Sequence, residues 1–387
     1  MKKRLLDIFF IAIFMAVLTL PFLFADRQGG AISQEENRTK AEMPSIMVED
    51  SLNLQFTSEY EDWLMDNMGF RDLLIDSYGK LNCAVFQKLN ADNYYLGVNG
   101  DLNYFTDDML KDYMHLNLRS ESELESIAYN QQTVADWLKS EGVQYYYVQC
   151  YDKHSIYPEQ AMNTVRPVGD ISRTDATIDY LKANTSVNVI SLKSELLDAK
   201  AQYEVYSNWG DPTHWTDRGA FIGYSYMMQT INQFNNNKFP ILQETDYTIT
   251  MEDKGLTLNS NHVKDMLECF TITSPRAIRD DMTLLGPWND DPRHSVWTNN
   301  TVDNDTTLLL VGDSYFDSFI LDDLAESFYR VYLIWGDYLP ELPLMLEEFD
   351  PDIVIIECAE RVDRTWAFPR IVNALTEESK KNELTVE

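Results

Sequence analysis

Basic charge is what this sequence has least of. Its 31 Lys and Arg face 63 Asp and Glu, a formal net charge of −32. With no basic stripe to neutralise phosphates, nucleic acid is excluded as a partner. The acidity otherwise speaks only to solubility. Cysteine is scarce too: Cys83, Cys150, Cys269 and Cys358 stand far apart with no CxxC pair. That spacing argues against a metal site, and no motif calls for a cofactor. Cys150 and Cys358 each end an apolar, strand-like run, so buried free thiols are expected rather than a disulfide framework.

What the chain does have begins at its N-terminus. Lys2, Lys3 and Arg4 precede a charge-free, mostly apolar run over residues 8–25, about the length that crosses a bilayer core. The basic cluster predicts a cytoplasmic start with the remainder outside. Leu23 before Phe24-Ala25 makes a poor cleavage signal, so residues 1–26 read as an uncleaved, single-pass anchor rather than a removed signal peptide. Residues 27–95 then read as a polar linker and a helical segment. Apolar positions at helical spacing over 54–89 predict two helices broken near Gly69. Asn99-Gly100, between two short aromatic runs, predicts a hairpin.

From residue 96 to 387 one α/β domain is expected. Amphipathic helices near 120–140, 174–183 and 216–234 alternate with strands at 143–149 and 187–192. Strands at 307–311, 331–335 and 353–357 resume the rhythm, with helices at 315–328 and 341–349 between them. Such repeated units imply a parallel sheet with helices on both faces. Residues 236–300 break the pattern with short alternating runs and read as a β-rich insertion.

Two stretches carry chemistry. Asn208-Trp-Gly-Asp-Pro-Thr-His-Trp-Thr-Asp-Arg-Gly-Ala220 places Asp211 three residues before His214 at a helix start. Leu308-Leu-Leu-Val-Gly-Asp-Ser-Tyr315 is an apolar strand ending in a Gly-Asp-Ser turn. A carboxylate that holds one imidazole nitrogen leaves the other to take a proton from a serine, provided all three converge. Strand carboxyl ends are where they would meet. The backbone NH groups of Ser314 and Tyr315, with Gly336 and Arg361 at neighbouring strand ends, are candidates to stabilise an oxyanion or bind substrate. Trp215 is a further candidate. Each piece has an ordinary structural reading as well: Asp313 as a helix cap, Trp215 as core, Arg361 as partner to Glu357 or Glu360.

In these residues the chain resembles the alginate O-acetyltransferase AlgJ/AlgX family and its DHHW-type relatives in Gram-positive bacteria, which are SGNH-hydrolase-like. The matching elements keep their order: Glu36-Asn-Arg38, Met68-Gly-Phe-Arg71, Leu96-Gly-Val-Asn-Gly100, Asp152-Lys153 with Ile156-Tyr-Pro158, Thr213-His-Trp-Thr216, Gly312-Asp-Ser-Tyr315 and Glu360-Arg361. The resemblance implies a flavodoxin-like parallel sheet with the triad order circularly permuted. It implies Ser314 as nucleophile, His214 as base and Asp211 as its orienter. It also implies an extracytoplasmic O-acetyltransferase acting on a cell-surface or secreted polysaccharide, supplied with acetyl groups by a membrane-bound O-acyltransferase. A carbohydrate acetylesterase and a non-catalytic glycan-binding surface protein are the alternatives. Two departures stand out. Pro212 occupies the position where the alginate enzymes place their Asp, and no Asn lies in residues 358–361 to act as an oxyanion donor, so Arg361 or backbone NH groups would substitute.

Overall fold

The structure, a computed structural model, describes every residue except 1, 28, 31, 34–37, 49, 50, 87, 88, 90–92, 259, 260, 386 and 387. Glu36 and Asn37 of the quoted motif, and the Cys83 side chain, lie outside the described set. The chain divides into two compact units, Met1–Asp92 with Thr257–His262, and Asn93–Leu256 with Val263–Glu387.

The smaller unit is mainly helical, with a few two-residue strand pairs. Helix α1 (Lys2–Leu23) is long and apolar enough to cross a membrane, and nearly all its side chains are exposed. Helices α2 (Phe56–Asn67) and α3 (Arg71–Phe86) follow, broken around Gly69 as the apolar spacing predicts.

The larger unit opens with the hairpin β1 (Tyr94–Leu96) and β2 (Leu102–Tyr104), which turns through Asn99-Gly100. Helix α4 (Glu121–Ser140) starts on a capping box, with Ser120 and Glu123 each satisfying the other's backbone NH. Strand β3 (Gln144–Cys150), helix α5 (Arg173–Asn184), strand β4 (Asn188–Ser191) and helix α6 (Asp217–Phe234) continue the alternation. The insertion supplies a two-stranded ribbon, β5 (Tyr247–Asp253) with β6 (Met266–Ile272), and two short strands, β7 (Ile278–Arg279) and β8 (Ser295–Thr298). Then come β9 (Thr307–Gly312), α7 (Ser314–Asp317), α8 (Leu321–Ser327), β10 (Arg330–Trp335), α9 (Leu342–Phe349), β11 (Ile353–Ala359) and α10 (Phe368–Thr385).

The main sheet runs β7-β8-β10-β9-β11-β3-β4. Its five strands from β10 to β4 are parallel. Counting β9 first, they stand in the order 2-1-3-4-5 of flavodoxin-like sheets, entered by the chain at the fourth strand. This is the circular permutation that the residue order implies. Side chains alternate between two cores: Leu308, Leu310, Ile353 and Ile355 pack on one face, and Leu309, Val311, Val354 and Ile356 on the other. Both faces are buried, which is why these strands read as unbroken apolar runs.

Three expectations need correction. The sheet is mixed, because β8 of the insertion pairs antiparallel with β10 and β7 with β8; these cover an edge that would otherwise expose unpaired backbone groups. The single helix expected over 315–328 is two, interrupted at Ser318–Ile320. The break is hidden in the sequence because Tyr315, Phe316, Ile320, Leu321 and Leu324, all buried, keep helical spacing on average. A C-terminal helix, α10, which buries Phe368 and Ile371, was not anticipated.

Candidate active site

The site lies where the strand order reverses, between β9 and β11, at the carboxyl ends of the parallel strands. Ser314 opens α7 directly after β9. Its turn is fixed by Asp313, whose NH donates to Glu357 Oε2 at 2.8 Å and whose Oδ1 accepts the Tyr315 NH at 3.0 Å. Asp313 Oδ2 lies 3.1 Å from Arg364 Nη2. A Cβ at Gly312 would stand 2.9 Å from the Glu357 carboxylate, so the motif's glycine is what admits that buried acid beside the turn. Burial, then the charge of Asp313, pushes the Glu357 carboxyl well above its ordinary value.

The second half of the site is a loop held from three sides. Ser207 Oγ (2.5 Å), Trp209 NH (2.8 Å) and Gly210 NH (3.1 Å) all donate to Asp265 Oδ2. Lys153 Nζ, buried, donates to the carbonyls of Ser207 at 2.8 Å and Leu102 at 2.7 Å. On the far side, Thr216 caps α6 by accepting the Gly219 NH. Between these anchors Asp211 Oδ1 accepts the Thr213 NH (2.8 Å) and hydroxyl (2.5 Å), which turns its Oδ2 to His214 Nδ1 at 2.7 Å. His214 Nε2 lies 2.7 Å from Ser314 Oγ. With Asp211 ionised, Nδ1 carries the ring proton and Nε2 accepts from the serine hydroxyl. Burial alone would raise the Asp211 carboxyl. Hydrogen bonds from His214 and Thr213 outweigh it and hold the group below the ordinary carboxylate range.

Arg361, just past β11, is the fourth member. Its Nη1 pairs with Asp152 Oδ1 and donates to the Thr213 carbonyl at 2.7 Å, while Nη2 lies 3.3 Å from His214 Nε2. Its partner is therefore Asp152, not Glu357 or Glu360. Asp152 also accepts the Tyr315 hydroxyl at 3.0 Å. Ser314 Oγ and Arg361 Nη2 both lie within 3.3 Å of His214 Nε2, so the guanidinium and the Ser314 NH at the start of α7 are the candidate donors beside the serine.

The remaining candidates fall elsewhere. The Tyr315 NH is taken by Asp313, and its ring is fully buried against Trp215. Trp215 is core, 2 % exposed, because it must fill the space under the His214 loop. Gly336 is buried with the Arg364 guanidinium lying against its Cα, where any Cβ would collide, so it makes room for Arg364 rather than facing substrate. Asp152, Asp265, Lys153 and Phe319, whose ring packs 5.6 Å from that of His214, were not named as site residues. Only the Asp152-Lys153 motif hinted at any of them. Among the described residues, one buried group, Asp112, His154 and Glu360, has ligand atoms within 4.8 Å of one another. Arg173 Nε stands 3.4 Å from Asp112 Oδ1, so these carboxylates already face a fixed cation. Cys150, Cys269 and Cys358 are free, buried thiols.

A permuted flavodoxin-like sheet, with a serine after its first strand and an Asp-x-x-His loop on the same rim, defines an SGNH-hydrolase-like domain. The profile of one such family, the SGNH hydrolase-like domain of acetyltransferase AlgX, matches residues 105–319, more than half of the chain, and the chain belongs to that family. No curated protein matches it. Similar solved structures include PatB1 of Bacillus cereus, at 18% identity and TM-score 0.48, over 64% of this chain and 93% of that one. A DHHW family protein of Eubacterium siraeum has 14% identity and TM-score 0.45, over 72% and 98%. The O-acetyltransferase domain of Pseudomonas putida AlgJ has 16% identity and TM-score 0.43, over 71% and 92%.

Proposed function

We propose that this chain is a membrane-anchored, extracytoplasmic O-acetyltransferase that esterifies hydroxyls of a cell-surface or secreted polysaccharide through an acetyl-serine. One observation carries the reading: a continuous hydrogen-bonded relay from Asp211 through His214 to Ser314, with 2.7 Å at each imidazole nitrogen. Membership in an acetyltransferase family supplies the acyl group.

In the first half-reaction Ser314 Oγ attacks the donor's acetyl carbonyl as its proton passes to His214 Nε2. The tetrahedral oxyanion is met by the Ser314 NH and the Arg361 guanidinium. It collapses as His214 returns the proton to the departing donor oxygen, leaving acetyl-Ser314. In the second half a sugar hydroxyl gives its proton to His214, attacks the acetyl carbon, and the proton goes back to Ser314 Oγ. Asp211 keeps the ring in the tautomer both steps need and offsets the imidazolium that forms between them. Because α1 opens on Lys2, Lys3 and Arg4 ahead of its apolar stretch Leu6–Leu23, the anchor would leave this domain outside. Activated acetyl carriers are cytoplasmic, so a membrane-bound O-acyltransferase partner would deliver the group.

The test is polymer acetylation in cells. Ser314→Ala, expressed at normal level, is expected to abolish it; unchanged acetylation would refute the reading.

A further inference from the structure

Two cavities flank the Phe319 ring that packs on His214. One, of about 310 Å³, is lined by Phe221, Tyr247, Phe270 and Trp297 together with Asp217, Asp322 and Asp323. The other, of about 330 Å³, is largely apolar and reaches Asp211, Trp215 and Leu267. They share Asp217 and Phe319, and the β5–β6 ribbon contributes residues to both. They therefore adjoin at Phe319 as the two halves of a surface walled by the insertion, which meets the candidate site at Asp211 and at the Phe319 ring packed on His214.

The chemistry of the wider half is specific. Phe221 and Phe270 stack at 5.4 Å, and Tyr247 meets each edge-on. Rings of this kind present faces to the C–H faces of sugars. The Tyr247 hydroxyl, on a residue 9 % exposed, faces the Asp323 carboxyl at the floor of this half. No basic side chain lines this half. Lys254, which lines the other half, pairs with Glu252, and the nearby Arg276 and Arg218 are engaged by Glu326 and by Glu244 and Glu268. Arg279, which faces Asp322, donates to the His294 carbonyl. Asp217, Asp322, Asp323 and Glu326 all line this half, so a further anion here would meet like charge.

We propose that this surface holds the acceptor, and that it takes glycan segments whose sugars carry neither carboxylate nor phosphate. Resting on the acetyl-transfer reading above, the inference adds the acceptor class. Carboxylates accept from sugar hydroxyls, the aromatic wall takes the ring faces, and like charge turns away uronate and phosphate polymers.

The experiment uses the full chain in detergent with p-nitrophenyl acetate as donor. The burst of p-nitrophenolate reads acetyl-serine formation alone. Neutral oligosaccharides (glucan, mannan, xylan and chitin series) and oligogalacturonate are then offered, and acetylated products are measured by mass. The expected result is a burst, with at least one neutral series acetylated ten-fold or more faster than the uronate. Asp322→Lys, at an exposed position, is expected to shrink that ratio several-fold. No burst would overturn the enzymatic reading and this inference with it. A burst with equal or preferred use of the uronate, with no neutral series acetylated, or with a ratio that Asp322→Lys leaves unmoved, would overturn the inference alone.

Discussion

Asp152 binds Arg361 through one carboxylate oxygen, and the guanidinium so fixed places its other terminal nitrogen 3.3 Å from His214 Nε2. The pairing also governs charge: burial would lower the guanidinium's pKa, but Asp152 outweighs it and raises it. Arg361 is thus a permanent, oriented donor beside the serine. Arg361→Lys is expected to slow acetyl-serine formation by roughly 10²- to 10³-fold, the usual loss for one oxyanion donor. A lysine point charge cannot hold Asp152 and the Thr213 carbonyl while also facing the serine. Burst rates with a small ester measure this, and a loss below about three-fold would remove Arg361 from the mechanism.

Asp211→Asn keeps the size of the side chain but favours the wrong imidazole tautomer. Turnover of the same ester is expected to fall by roughly 10²- to 10⁴-fold. Because its hydrogen bonds hold the Asp211 carboxyl below the ordinary range, protonation of this group adds no inflection to the wild-type rate profile above about pH 5. An inflection there that disappears in Asp211→Asn would contradict the assignment.

Glu360 makes stability depend on pH. Burial and the adjacent charge of Asp152 raise its pKa from 4.5 to about 8. Its proton is bound more tightly in the folded chain, so its contribution is complete below about pH 4.5 and is lost as pH rises towards 8. The full swing is on the order of a few kcal/mol. Glu360→Gln still accepts the Asp152 NH and can donate to Ser155 Oγ, the two partners of the native acid. Denaturation midpoints between about pH 5 and 8 should fall in the wild type and stay flatter in the variant. Parallel curves would exclude Glu360 as the cause.

Lys153→Met orphans the Ser207 and Leu102 carbonyls. Unsatisfied buried acceptors at two positions, partly offset by no longer burying an ammonium, predict a loss of about 2–4 kcal/mol in urea unfolding. Since Ser207 starts the His214 loop, ester turnover should fall as well. Stability unchanged within about 0.5 kcal/mol would show that water replaces the lysine there.

Gly336→Ala forces a Cβ into the Arg364 guanidinium, which is also bound to Asp313. Overpacking of this kind costs about 1–3 kcal/mol or more. The strain should reach the Ser314 turn through Asp313, lowering burst rate together with stability. A stable variant with a normal burst would separate Arg364 from the turn.

Much of this site was legible before any coordinates. The Gly-Asp-Ser turn, the Asp-x-x-His loop and Glu360-Arg361 are local patterns that announce strand ends and helix starts. The partners that hold them were not. Asp265 closes on a loop more than fifty positions away, and Asp152 reaches Arg361 across 209 positions. Neither contact leaves a periodicity. Tyr315 and Trp215 looked equally chemical in the sequence, yet burial puts both in the core.

By itself, the sequence determined the alternation of strands and helices, because burial on both sheet faces demands continuous apolar strands, and it determined which serine, histidine and aspartate stand at their ends. Only the tertiary structure decided that β9 and β11 lie side by side, that the insertion caps the sheet edge and walls two adjoining cavities, and which carboxylate holds which arginine. Those choices depend on long-range packing and charge pairing, where the energy resides in neighbours far apart along the chain.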